Sequence, residues 1–185
     1  NKSVIDIGTT PSLDLEDNFF LHKVKKNQNI TCFSNQDCSN LSKNFPNIKK
    51  FIIGDARYSY LKDNFFDIVH SNATIEHVGS FENQIKFTKE LVRISKKFVF
   101  IQTPYRFYPI DFHTLLPFIH WLPKKYHRKI LRYFGKKFYS LESNLNLLSV
   151  KEIKKICKFL NLKDYKIIRY KLFFMTSNLI LLIKK

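Results

Sequence analysis

Acidic residues and glycine are scarce in this chain of 185 residues: 15 aspartates and glutamates stand against 32 lysines and arginines, and there are only four glycines. The formal charge of +17 suits nucleic acid, an anionic membrane surface or an acidic substrate as a partner. A solvated, lysine-rich surface accounts equally well for most of this excess. The net positive charge therefore favours a negatively charged partner but does not identify a function.

Cysteine and long apolar runs are also scarce. Cys32, Cys38 and Cys157 form no Cys-x-x-Cys pair and lack the spacing of metal ligands, so we expect neither a disulfide framework nor a bound metal, and a reducing, cytoplasmic setting. The longest apolar run near the C-terminus, LFFMTSNLILLI, is too short and too polar in its middle to span a bilayer. No signal peptide is visible.

The length and an apolar content of 44% fit a single domain over residues 1–185. Asn1 stands almost directly on the first predicted strand, a start that fits an N-terminally truncated domain. Strand and helix patterns alternate, which predicts a parallel sheet covered by helices on both faces. The predicted strands are 2–8, 29–34, 51–56, 66–73 and 97–104, the helices are 18–26, 81–94, 124–138 and 149–161, and a closing hairpin pairs 165–173 with 177–185.

Four segments combine a predicted strand with polar or glycine residues at or near its end: VIDIG (4–8), GDA (54–56), DNFFDIVHSNATIEHV (63–78) and ELVRISKKFVFIQTP (90–104). The series resembles the class I, type 11-like methyltransferases that depend on S-adenosylmethionine (SAM). The resemblance covers roughly residues 2–104 and the final hairpin. It implies an α/β fold: a Rossmann-like, doubly wound, seven-stranded sheet, mostly parallel with an antiparallel last strand, in a three-layer αβα arrangement.

The resemblance also implies a SAM site at the carboxyl ends of the strands, where open α/β sheets bind ligands. The chain departs from the family pattern twice, because threonines replace further glycines after Gly8, and a serine stands at Ser34, where an acid normally meets the ribose hydroxyls. The residues that carry over as cofactor-binding are Asp6, Gly8, Thr9, Ser34, Asp55, Ala56 and Asn72.

A hydroxyl acceptor needs a base to remove its proton, and candidates lie beyond the fourth and fifth strands. IEHV supplies Glu76 and His77, while DFHT supplies Asp111 and His113. Asp111 and His113 are two residues apart, so an extended backbone directs both to one side, where the acid orients the imidazole. We predict His113, then His77, as catalytic, together with Asp111. A backbone-bonded, structural role accounts for either histidine equally well.

The aromatic, proline-rich stretch that follows the fifth strand predicts a lid over residues 105–138. Its TPYRFYPIDFHTLLPFIHWLP resembles a bacterial methyltransferase subgroup with an HT-LP-HWLP pattern, some of whose members come from surface-polysaccharide gene clusters. That resemblance implies a glycan or glycolipid acceptor. We therefore expect methylation of a small-molecule or glycan-type acceptor, at an oxygen.

The basic helix inside the predicted lid suits an anionic membrane. KKYHRKILRYFGKK carries seven lysines and arginines and no acid, and Tyr126, Ile130, Tyr133 and Phe134 fall on one helical face. Such a helix favours the interface with anionic lipid, so we expect peripheral contact with the inner face of the membrane and a lipid-linked acceptor. A lid packed on the sheet with a solvated lysine face explains the same pattern.

Two other functions stay open at this point. A nucleic-acid methyltransferase fits the net charge, although no RNA-binding appendage and no Asn/Asp-Pro-Pro-aromatic motif is recognisable. A catalytically inactive, methyltransferase-like binding domain fits the few glycines and the missing ribose acid.

Overall fold

The computed structural model describes residues 2–185, whose strands form a single seven-stranded sheet; Asn1 lies outside the described residues. The strands are β1 Val4–Ile7, β2 Ile30–Ser34, β3 Ile48–Ile53, β4 Phe66–Asn72, β5 Ser95–Pro104, β6 Tyr165–Leu172 and β7 Met175–Lys184. Their order across the sheet is β3-β2-β1-β4-β5-β7-β6. The first five strands pair in parallel, and β7 runs antiparallel to both β5 and β6. The predicted fold class is confirmed.

Within residues 2–185, four α-helices accompany the sheet: α1 Phe19–Lys23, α2 Phe81–Ile94, α3 Lys124–Tyr133 and α4 Val150–Phe159. Side-chain caps fix the starts of the two longer core helices. The Ser80 side chain accepts from the Asn83 amide at the start of α2, and Ser149 with Glu152 forms a capping box at the start of α4.

Alternating side chains divide the core between the two faces of the sheet. Phe87 on α2 and Ile156 on α4 belong to the larger cluster, together with Phe33 of β2. Cys32, the neighbour of Phe33, belongs to a second cluster with Leu21 of α1. Helices thus pack on both faces of the sheet, and this packing holds the carboxyl ends of the strands in place.

The third strand and the third helix differ from their predicted ranges. β3 begins three residues earlier than predicted and ends at Ile53, so Gly54, Asp55 and Ala56 form the turn that follows it. α3 was predicted over 124–138 but ends at Tyr133, because Gly135 adopts a left-handed φ of +72°. The Lys136 amide then donates to the carbonyl of Leu131 at 2.8 Å and closes the helix end.

An insertion connects β5 to α4 and lies at the carboxyl edge of the sheet. A parallel bridge between Tyr105 and Leu148 joins its two ends. The predicted lid over 105–138 lies within this insertion, and its role as a lid stays a prediction. Its helix α3 is anchored by buried Leu131 and His127, whereas the aromatic face that includes Tyr133 is exposed. Among the helices of residues 2–185, none is both long and apolar enough to cross a membrane.

Candidate active site

A cavity of about 830 Å³ opens at the carboxyl edge of the sheet. Its walls come from the segments that follow β1, β2, β3 and β4, including residues 8–10, 34–36, 53–57 and 77–80. The cavity therefore lies across the point where the strand order reverses, between β1 and β4. This is the position at which open α/β sheets bind their ligands.

Gly8 forms a close turn between β1 and the cavity. Its φ of +93° is unusual for any residue with a side chain, and a Cβ at this position would lie 2.0 Å from Oγ1 of Thr74. Thr74 is itself held in place, since its hydroxyl donates to the carbonyl of Asn72 at 2.9 Å. The turn after β1 and the turn after β4 are thus packed directly against each other at the cavity wall.

Asp55 and Arg57 form a forked ion pair on the turn after β3. The Arg57 Nε lies 2.9 Å from one carboxylate oxygen, and its Nη2 lies 2.5 Å from the other. These hydrogen bonds hold the pKa of the Asp55 carboxyl below its usual value. Arg57 also donates to the Val78 carbonyl at 3.2 Å, which ties this turn to the one after β4. Arg57 was not predicted as a site residue.

Asp6 and Asn72 lie behind the cavity wall and do not line it. The Asp6 carboxylate is 2.6 Å from Nδ1 of His70 and accepts from the Thr9 hydroxyl at 2.9 Å. Both of its oxygens therefore have partners within the protein. Asp6 fixes the β1 turn from behind, and its predicted contact with a cofactor stays a prediction.

The other predicted cofactor residues, Gly8, Thr9, Ser34, Asp55 and Ala56, all line the cavity. The Ser34 hydroxyl accepts from the Gln36 amide at 3.1 Å, which turns the chain along the cavity rim. Beside them, the buried hydroxyl of Thr10 also lines the cavity and has no hydrogen-bond partner among residues 2–185. A buried polar atom without a partner is costly, so this hydroxyl is available to a ligand.

Two predicted catalytic histidines meet beside the cavity. Nε2 of His113 lies 3.2 Å from Nε2 of His77, which lines the cavity wall. Nδ1 of His113 lies 3.0 Å from the Asp111 carboxylate, and Nδ1 of His77 lies 2.6 Å from the Asn144 carbonyl. The expected extended backbone between Asp111 and His113 is wrong: residues 111–114 form a turn, in which the Thr114 amide donates to the Asp111 carbonyl at 3.3 Å.

Hydrogen bonds and nearby charges shift the pKa values of His113 and Asp111. Burial by itself lowers the pKa of His113, but the hydrogen bond to Asp111 and the negative charge of Glu76 raise it overall. Burial opposes ionisation of Asp111, yet its hydrogen bonds to His113 and Thr114 lower its pKa. The pair is therefore polarised, with a charged carboxylate orienting a basic imidazole.

The roof of the cavity comes from Phe138, Glu142, Ser143 and Asn144. Within the predicted lid of 105–138, only Phe138 lines the cavity. The rest of that segment contributes His113, which contacts His77, and Asp111, which contacts His113. Periodicity could not locate this roof, because residues 138–144 form a short 3₁₀ turn and loop.

A sequence comparison matches residues 22–100 to a family model described as a methyltransferase domain. No curated protein matches the chain. The match begins after the β1 turn and ends within β5, so it includes the walls of the cavity that follow β2, β3 and β4.

Solved structures share the fold at low sequence identity. A SAM-dependent methyltransferase from Aquifex aeolicus is 12% identical with a TM-score of 0.63, over 99% of this chain and 81% of that one. One from Archaeoglobus fulgidus is 15% identical with a TM-score of 0.63, over 100% and 86%. The chain thus has the fold of class I methyltransferases, and residues 22–100 match the methyltransferase-domain model. Magnesium protoporphyrin IX methyltransferase from Synechocystis PCC 6803, which has SAM bound, is 11% identical with a TM-score of 0.59, over 100% and 70%.

Proposed function

We propose that this protein is a methyltransferase that binds SAM in the carboxyl-edge cavity and methylates a hydroxyl of a glycan or glycolipid presented beside His77 and His113. The observation that carries the proposal is the cavity itself, because it lies at the strand-order reversal and is bordered on one side by this histidine pair. A volume of about 830 Å³ also lies in the range of cofactor pockets.

The residues present fit SAM. Phe33, Ile53 and Val78 line the cavity with apolar surface for an adenine ring. The half-exposed Asp55 carboxylate retains lone pairs for an amino group, even with Arg57 bound. The unpartnered Thr10 hydroxyl gives a further polar contact. No acid lines the cavity at the end of β2, so we expect the Ser34 hydroxyl and the neighbouring amides to meet the ribose.

SAM supplies an electrophilic methyl group when it is bound. The protein must then position the acceptor oxygen and remove its proton. Asp111 holds Nδ1 of His113, and the Asn144 carbonyl holds Nδ1 of His77, so both Nε2 atoms are directed to the same point. We place hydroxyl activation at these two atoms, with Asp111 as the residue that orients His113.

Exposed apolar tips support a lipid-linked acceptor. In the insertion, Leu115 is 72% exposed and adopts a positive φ of 58°, and exposed Phe118 follows with a φ of 60°. The β6–β7 hairpin ends in Phe173 and Phe174, which are 81% and 97% exposed. Both tips lie at the carboxyl edge, because β7 starts beside the end of β5. Exposed apolar tips at this edge, together with the basic helix α3 of the insertion, suit an anionic membrane at its inner, cytoplasmic face.

Methyl transfer from radiolabelled SAM tests the reaction. The acceptors are membrane extracts containing lipid-linked glycans, the water-soluble glycans released from them, and total RNA. We expect label in the lipid-linked glycan fraction with wild type, and loss of that label with His113→Ala at an unchanged SAM affinity, because His113 does not line the cavity. Label confined to RNA would support the nucleic-acid alternative. SAM binding with no transfer to any fraction would support an inactive binding domain.

Flotation with vesicles tests the membrane contact separately. We expect the protein to float with phosphatidylglycerol-containing vesicles at low salt, but not with purely zwitterionic ones. The variant Phe173→Ser/Phe174→Ser should reduce flotation, whereas Phe159→Ser, which removes an exposed aromatic from the end of α4, should not. Equal flotation of all three proteins would contradict the proposed tips.

A further inference from the structure

Three side chains converge on one point beside the cavity. Oε1 of Glu76 lies 3.9 Å from Nε2 of His77 and 4.0 Å from Nε2 of His113, and the two nitrogens are 3.2 Å apart. Glu76 and His77 come from the 3₁₀ turn after β4, whereas His113 comes from the insertion. Two imidazole nitrogens and one carboxylate oxygen thus share a space within 4.8 Å.

The hydrogen bonds behind the histidines determine which nitrogen carries the proton. Nδ1 of His77 faces the Asn144 carbonyl at 2.6 Å, an acceptor only, so this nitrogen must donate. Nδ1 of His113 faces the ionised Asp111 carboxylate at 3.0 Å and must donate as well. In the neutral rings, both Nε2 atoms then carry bare lone pairs, and the two nitrogens are 3.2 Å apart. Two acceptors at 3.2 Å are unstable unless a positive species lies between them.

Glu76 adds a buried negative charge aimed at the same point. The residue is 0% exposed, and its Oε2 accepts from the Thr103 hydroxyl at 2.9 Å. Its Oε1 has no hydrogen-bond partner among residues 2–185. An unpartnered carboxylate oxygen in the protein interior is strongly unfavourable without a cation or a donor. Oε1 of Glu76 lies near both Nε2 atoms, so one positive ion placed among these three atoms would stabilise all of them.

We propose that Glu76, His77 and His113 bind a divalent first-row metal ion of the Zn²⁺ type. Two histidines and one carboxylate are an established ligand set for catalytic zinc, which keeps a further coordination position open. The partners behind the histidines also match metal sites, where a carboxylate or carbonyl accepts the second ring N–H and orients the ligand. Here the Asp111 carboxylate accepts the second N–H of His113, and the Asn144 carbonyl accepts that of His77.

The distances agree with such an ion after a small adjustment. Two nitrogen ligands on a tetrahedral zinc with bonds of about 2.05 Å lie roughly 3.3 Å apart. The observed separation of the Nε2 atoms is 3.2 Å. The Glu76 oxygen lies 3.9 and 4.0 Å from them, so it must move by about half an ångström to reach a bond of roughly 2.1 Å. A carboxylate rotation supplies a movement of this size.

The metal would lie next to the acceptor side of the cavity, because His77 is part of the cavity wall. Its open position can coordinate the acceptor hydroxyl and lower the pKa of that hydroxyl. With the ion bound, both Nε2 atoms are ligands, so the ion activates the hydroxyl in their place: the hydroxyl proton leaves to solvent while its oxygen stays on the metal. This role rests on the proposed methyl transfer, whereas metal binding itself does not.

Direct metal titration of the chelator-stripped protein tests the site. Co²⁺ is added alone and followed by its visible absorption, and Zn²⁺ is then added in competition. We expect one Co²⁺ per chain, displaced by one Zn²⁺ and unaffected by Mg²⁺, which prefers oxygen ligands. His113→Ala and Glu76→Gln should lose stoichiometric binding. Asp111→Asn should weaken it about 10- to 100-fold, because Asp111 only orients a ligand. His22→Ala changes an exposed histidine on α1 and should bind normally.

Thermal melting of each variant without metal shows whether it is folded. Failure of the wild-type protein to bind Co²⁺ or Zn²⁺ stoichiometrically would overturn the proposal and leave a shared proton between the histidines. Binding that survives in folded His113→Ala would overturn it as well. SAM titration of the same stripped protein is independent of the metal. Loss of SAM binding therefore counts against the proposed function, and loss of metal binding against this site.

Discussion

Replacing Gly8 by alanine perturbs the cavity wall at the point where two turns touch. Its φ of +93° costs a residue with a side chain roughly 1–2 kcal/mol. The new Cβ would also lie 2.0 Å from Oγ1 and 2.8 Å from Cγ2 of Thr74. Overpacking of this kind costs about 1–3 kcal/mol. We therefore expect Gly8→Ala to lower the free energy of unfolding by about 2–5 kcal/mol and to weaken SAM binding.

Gly135 offers a matched control for that substitution. Its φ is +72°, but a Cβ there would have no atom within 4 Å, so Gly135→Ala carries backbone strain of about 1–2 kcal/mol without a clash. Urea denaturation of both variants separates the two effects. Adding Thr74→Ala to Gly8→Ala should restore part of the lost stability. If Gly8→Ala is no more damaging than Gly135→Ala, the close packing of the two turns is refuted.

Three further predictions concern stability and ionisation. Burial lowers the pKa of His127 to about 4 from its usual 6.5, so His127 takes up a proton at a higher pH in the unfolded chain than in the folded one. The free energy of unfolding should therefore fall by up to about 3 kcal/mol as the pH drops from 6.5 towards 4. His127→Gln should remove that component, seen as closer urea midpoints at pH 7 and pH 4.5. Ser149→Ala should cost about 1 kcal/mol in denaturant unfolding, because it removes the α4 capping box. Arg57→Ala should raise the pKa of Asp55 towards its usual value, measurable by NMR titration; no change would show that the forked pair does not persist in solution.

Most of the sheet could be predicted because its strands are buried apolar runs that alternate with an amphipathic helix pattern. The start of β3 was missed because Lys49 and Lys50 are exposed, so the apolar signal begins only at Phe51. The end of α3 was missed because the spacing of apolar residues continues to Phe138, and periodicity does not register the left-handed Gly135.

The candidate site could be predicted only where a strand end is enough to place a residue. Gly8 follows β1 directly, Asp55 lies in the turn after β3, and both line the cavity. The meeting of His77 with His113 depends instead on how the insertion folds back, which no local pattern specifies. The same limit applies to Asn144, whose carbonyl orients His77 from 67 residues away.

Isothermal titration of the purified chain with SAM, and separately with S-adenosylhomocysteine, tests the central claim most directly. We expect one site per chain in the micromolar range, lost in Asp55→Ala and unchanged in Asp164→Ala, which removes an exposed carboxylate at the far edge of the sheet. Asp6→Ala should weaken binding by loosening the β1 turn. A folded wild-type chain that binds neither ligand, or an Asp55→Ala variant that binds both as wild type does, would contradict a SAM site in this cavity.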